Sequence, residues 1–323
     1  MHITTLALFL QLSRTATAMC AAGLALFLIA AWVARPRVAA ACGLDKLLAL
    51  TRLCFAVPLA VFGMLHFFGS QFVQDLVPPY MPFGRMFWVY FVGCGLVAAS
   101  LSFATGIAVR WSGLLVGIMM FGFVAMLYLP SGLKILHKLA LHQSVPPTAR
   151  FTWTIVFRES SFGGAAWILA ALAAASWPRP LRSTLITVGR IAITLALIFF
   201  AIYHFLHPLG LPGVPLKREM PAWVPMPRFI DYLTGAALIA AAASVLLPSK
   251  TRAVAACVGG WILLTIVVIY LPLMITALFS PEIGEQVEGI NYFADTLLFA
   301  GVVLSFAGAA SHKTESPQIA FAT

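Results

Sequence analysis

Val61-Phe62-Gly63-Met64-Leu65-His66-Phe67 closes one long apolar run, and Phe199-Phe200-Ala201-Ile202-Tyr203-His204-Phe205 closes another. The runs extend back to about Leu47 and Thr184. Each is long enough for a helix to cross the roughly 30 Å hydrocarbon core of a bilayer. A Pro-rich segment follows each histidine: Val77-Pro78-Pro79-Tyr80-Met81-Pro82 in the first case and Met220-Pro221-Ala222-Trp223-Val224-Pro225 in the second. Three residues beyond the last proline stand Arg85 and Arg228, and Gly93 and Gly235 follow one to two turns later. At the last apolar run of each copy, Phe157-Arg158-Glu159 answers to Phe293-Ala294-Asp295, which places an acid at the head of each final helix. The chain therefore repeats one four-span unit. An even number of spans per unit gives both copies the same orientation, a parallel repeat.

The rest of the chain agrees with this pattern. Of 323 residues, 62% are hydrophobic and 9% are charged, far below the quarter that coats a soluble domain. Further apolar runs lie near 17–34, 86–107, 112–129, 160–177, 229–247, 253–279 and 292–309. With the two above, the expectation is an all-α polytopic membrane protein of about nine spans. Residues 1–44 form an N-terminal anchor helix with a basic loop and no cleavage signal. Residues 45–180 and 181–310 are the two four-helix units, and 311–323 a polar, disordered tail. The five cysteines, Cys20, Cys42, Cys54, Cys94 and Cys257, lie apart with no C-x-x-C, so they read as small apolar filler.

The net charge of +10 is spread over short connections, which argues for topology determinants and against nucleic acid. Arg35, Arg37, Lys46, Arg52, Arg110, Arg179, Arg182, Arg190, Lys250, Arg252 and Lys313 fall on one side, and the nine other Lys and Arg residues on the opposite side. The first side has the short, tight loops on which positive-inside bias acts. The expected topology puts these loops and the C-terminus in the cytoplasm. The N-terminus and the histidine and Pro-rich ends then face outward, in a cell inner (plasma) membrane.

A span ending G-x-x-H-F, then V-P-x-x-x-P, then an aromatic-rich span with a glycine and two more helices, resembles the DoxX/DoxD-like family. The resemblance covers about residues 45 to 310, twice over, so the chain is similar to a tandem fusion of that four-helix unit. The second copy departs from it: Ala201 replaces Gly63, and the loop is five residues longer. The resemblance implies association with membrane redox chemistry, since some members are subunits of a thiosulfate:quinone oxidoreductase. Others accompany oxidative-stress proteins, and related eukaryotic proteins are assembly chaperones.

Ionisable side chains within spans are expensive and point to function. In each unit a histidine ends the first helix, an arginine starts the second and an acid starts the fourth. His66, Arg85 and Glu159 are thus expected at one depth, as are His204, Arg228 and Asp295. Two readings stand. Either each set tunes a histidine as proton donor to a quinone, or the residues cap backbone and make a structural ion pair. Tyr80 and Trp223 in the Pro-rich loops are candidates to dock that ligand, or members of the interfacial aromatic belt. His204 and His207 have metal-pair spacing, but Pro208 ends the helix and no third ligand is evident, so no metal is assigned. Pro130 to Arg158 reads as a basic amphipathic surface segment broken at Pro146-Pro147, or as a lid. The equivalent loop carries Glu282, Glu285 and Glu288, so the two loops are candidates to pair.

The expectation is a membrane component of a quinone-linked redox system. It contacts the lipid bilayer and a soluble or membrane redox partner on the outer face. The rivals are a non-catalytic assembly protein and a small-solute transporter. Transport requires a polar path at mid-membrane, and only His66, His204, Asp231 and Asp295 lie deep enough to contribute.

Overall fold

The computed structural model describes residues 12–145 and 149–311. Among them nine helices are long and apolar enough to cross a membrane, and the chain is an all-α, multi-pass membrane protein. The helices are α1 Arg14–Ala40, α2 Asp45–Phe68, α3 Arg85–Thr105, α4 Val109–Ala140, α5 Ala149–Ala173, α6 Arg179–Leu206, α7 Pro227–Leu246, α8 Ser249–Leu278 and α9 Ile283–Ser311. Helices are forced because hydrocarbon offers the backbone no hydrogen-bond partners. The only strand-like pairing among the described residues is an isolated antiparallel bridge, Gly210 to Glu219. Thr4 to Leu10, the Pro146-Pro147 break and residues 312–323 of the expected tail lie outside the described residues.

Several helices are longer than their apolar runs. The helix starts of α5 and α9 precede the acids: Glu159 lies ten residues into α5 and Asp295 twelve residues into α9. At 1.5 Å per residue that is about 15 and 18 Å. The acids therefore open the apolar windows without opening the helices. The segment after Pro130 likewise begins as a straight continuation of α4, helical through Ala140. Both α4 and α8 carry a five-residue π turn, Val124–Tyr128 and Ile266–Tyr270. Each is followed by Leu-Pro, at Leu129-Pro130 and Leu271-Pro272. A proline ring displaces the carbonyl four residues back, here Met126 and Val268, and the wide turn accommodates it.

The two units interlock. Within each, neighbouring helices pack in chain order, but α5 packs along α6, α9 packs along α2, and α5 and α9 meet at the centre. Close backbone approach makes these crossings tight. A Cβ on Gly189 would lie 2.4 Å from the Gly164 carbonyl oxygen, and one on Gly301 would lie 2.9 Å from Cβ of Cys54. Across its most apolar stretch α9 is 89% buried, against 22% for α1, which lies outside on α2, α3 and α9. The last helix is the axis of the molecule. On the short-loop face, Arg252 of α8 pairs with Asp45 of α2 at 2.7 Å.

The two Pro-rich loops differ. Residues 70–84 form two short 3-10 turns with no fully buried residue. In the longer loop, residues 211–216 are all buried. Met220 N–H donates to the Leu209 carbonyl at 2.8 Å, and this closure folds Leu211-Pro212-Gly213-Val214 inward. Gly213 has φ +105° and faces Thr296 and Phe299 of α9. Non-helical backbone at this depth is tolerated because protein surrounds it.

Candidate functional site

The inward loop ends on polar side chains in an otherwise apolar interior. His204, in the last turn of α6, is 1% exposed, and Asp231, one turn into α7, is fully buried. His204 Nδ1 lies 2.5 Å from Asp231 Oδ1, and Nε2 donates to the Gly213 carbonyl at 2.9 Å. A carbonyl only accepts, so Nε2 carries its hydrogen. The Nδ1–Oδ1 contact has ion-pair distance without hydrogen-bond geometry, and two unprotonated atoms that close would repel, so the pair holds one further proton. The pair is either imidazolium with carboxylate or neutral imidazole with carboxylic acid, and it has no net charge in either state. That neutrality makes its burial tolerable. Asp231 Oδ2 has no hydrogen-bond partner among the described residues. The loop is held on its other side by Tyr270, whose hydroxyl donates to the Pro212 carbonyl at 2.8 Å. Thr296 donates to the Tyr292 carbonyl at 2.9 Å, next to the Gly213 turn.

A second cluster occupies the α5–α9 seam, one residue before Thr296. Arg158 donates through Nη1 to Asp295 Oδ2 at 2.8 Å, and through Nη2 and Nε to Glu159 Oε1 at 2.8 and 3.2 Å. One turn toward the N-terminal end of each helix, Thr154 Oγ1 and Asn291 Oδ1 are buried with no hydrogen-bond partner among the described residues.

The expected sets do not assemble as written. His66 is half-buried and its Nδ1 donates to the Phe62 carbonyl at 2.7 Å within its own helix. Arg85 pairs with Asp75 at 3.0 Å in the exposed loop, and Arg228 is exposed at the second residue of α7. Neither arginine is hydrogen-bonded to the histidine of its set. Glu159 and Asp295 come together across the two units, through an arginine absent from the sets. The glycines set the register of the repeat: Cβ atoms on Gly93 and Gly235 would fall 2.9 and 3.2 Å from Cβ of His66 and His204. Val89 then corresponds to Asp231, so only the second unit carries the buried pair.

Tyr80 is 68% exposed. Trp223 is half-exposed and lines an open cleft of about 330 Å³ on the outer side of the second loop, with Arg218, Glu219, Pro221, Leu273, Thr276 and Glu285. Arg218 pairs with Glu285 at 2.9 Å. Glu285 is thus engaged by its own unit's Pro-rich loop. His207 caps α6 with its ring 4.6 Å from that of Tyr203. Among the described residues no three His, Cys, Asp or Glu side chains gather as a metal site.

Arg158 and Asp231 carry this interior, and the pattern reading underused both. Arg158 stood beside Glu159 in the quoted motif, and its position within a span was the available signal. The signal for the inward loop was its composition: Leu209-Gly210-Leu211-Pro212-Gly213-Val214-Pro215-Leu216 has no charge or hydroxyl to face water. Comparison with known proteins finds no family model, no curated protein and no solved structure that matches the chain.

Proposed function

We propose that the chain is the membrane component of a quinone-linked redox system, with its site at the outer end of the second unit. The chain sits in an inner (plasma) membrane with the Pro-rich loops and N-terminus outside and the C-terminus in the cytoplasm. The resemblance of residues 45 to 310 to DoxX/DoxD-like proteins motivates the redox class. The observation that carries the site is the His204–Asp231 pair, sealed beneath the loop with both ring nitrogens engaged.

The residues fit a quinone head group. The cleft above the loop offers the Trp223 indole, a donor at Arg218, whose guanidinium keeps N–H groups beyond its bond to Glu285, and apolar walls at Pro221 and Leu273. A bound quinone would supply two-electron, two-proton redox chemistry, with electrons from a partner on the outer face. Trp223 would stack on the ring and Arg218 would orient a carbonyl. Beneath them, His204 and Asp231 together hold one proton, and His204 anchors the loop at Gly213. Displacing the loop would open the unpartnered Asp231 Oδ2 to the cleft and give that proton an exit.

The test is equilibrium binding of a short-chain quinone to the detergent-purified protein, with Trp223→Ala and Arg218→Ala alongside. Saturable binding weakened about tenfold by either change, about 1.4 kcal/mol, supports the site. No saturable binding to the folded wild type rejects it and moves the assignment to an assembly protein.

A further inference from the structure

The charges at the α5–α9 seam do not balance. Arg158 brings one positive charge to Glu159 and Asp295, which together bring two negative charges when ionised. The acid side chains are each 10% exposed and the Arg158 side chain 18%. Two carboxylates held in one site resist ionising together. Among the described residues no other Lys or Arg forms an ion pair with either acid. Among the described residues, the titratable groups facing the cluster are Tyr128 from α4, Tyr270 from α8 and Tyr292 one turn outward on α9. These are acids or neutral. His204 is engaged by Asp231 and Gly213. Nearby, α6 contributes Phe199 against Phe157, α2 contributes Cys54 and Phe55 against Gly301, and Phe162 lies 6.0 Å from the guanidinium carbon.

A second observation points to an occupant. Thr154, 3% exposed, presents an unpartnered Oγ1 one turn outward from Arg158 on the same face of α5. Asn291 presents an unpartnered Oδ1 one turn outward from Asp295 on α9. Since α5 and α9 run parallel, both atoms stand at one level between the cluster and the outer face. A hydroxyl and an amide oxygen there suit water, the usual partner of buried polar atoms.

We propose that Glu159 and Asp295 share one exchangeable proton at the seam between the two units, and that it reaches the outer face through water held by Thr154 and Asn291. The site takes a proton as its ligand and is independent of the quinone assignment. Protonation leaves one carboxylate for one guanidinium. Deprotonation leaves an uncompensated charge on the central helix pair, which couples the packing of the two units to the proton concentration outside.

Infrared spectroscopy of the reconstituted full-length protein tests this through the carbonyl stretch of a protonated carboxylic acid at neutral pH. The wild type and Asp231→Asn are compared with Glu159→Gln and Asp295→Asn, each made in the Asp231→Asn background so that Asp231 contributes no band. The band should survive in Asp231→Asn and disappear in each of the two double variants, because either amide leaves a balanced pair. Survival in both double variants, or no band in Asp231→Asn, overturns the proposal. If neither seam variant folds, Asp231→Asn decides: a band there supports the shared proton, and no band overturns it.

Discussion

Val89 and Asp231 stand at equivalent positions beside equivalent histidines, yet only Asp231 turns its histidine into a buried ion pair. Removing one member of such a pair strands the other, at a cost of about 3–5 kcal/mol, whereas replacing both with apolar groups is often close to neutral. Asp231→Val should therefore destabilise the protein by about 3 kcal/mol. The double variant with His204→Leu should lose only about 1 kcal/mol, for the Gly213 carbonyl left unpaired. Thermal unfolding in detergent reads both. A double variant as unstable as Asp231→Val would contradict the pairing. Tyr270→Phe removes the bond to Pro212, about 1 kcal/mol, and should speed hydrogen exchange at the Val214 and Leu216 amides. Unchanged exchange there would mean that the loop is held by something else.

At the scale of elements, apolar run length made the span count legible. It did not show where helices end. Hydropathy marks the window in lipid, and α5 and α9 carry ordinary polar turns ahead of theirs, so Glu159 and Asp295 lie further along their helices than expected. The π turns were written in the repeated Tyr-Leu-Pro at 128–130 and 270–272, a signal in hindsight. Helix contacts come from glycine, whose partner no single sequence reveals. Gly189→Leu must part α5 from α6, since its Cβ meets the Gly164 carbonyl, and overpacking costs about 1–3 kcal/mol. Gly95→Leu on α3 meets nothing and should stay within about 0.5 kcal/mol. Equal melting of the two variants would contradict the α5–α6 crossing.

For the whole molecule, the units are interdigitated: α9 lies against α2 and α5 against α6. The repeat pointed to two parallel four-helix units, and a repeat shows equivalence and not which faces meet. Residues 1–177 expressed alone should be degraded or associate, since α2 and α5 lose their apolar partners. Co-expression with 178–323 should restore a one-to-one complex that survives detergent extraction. A stable monomer of the first piece would contradict the interlocked core. The same asymmetry of construction separates the histidines: His204 sits under the buried loop, while His66 bonds only within its own helix. The most direct test of the account is the quinone that co-purifies with the intact protein, measured in wild type, His66→Ala and His204→Ala. One equivalent retained in His66→Ala and lost in folded His204→Ala is the predicted result. Equal retention or equal loss in both would contradict a site built in the second unit.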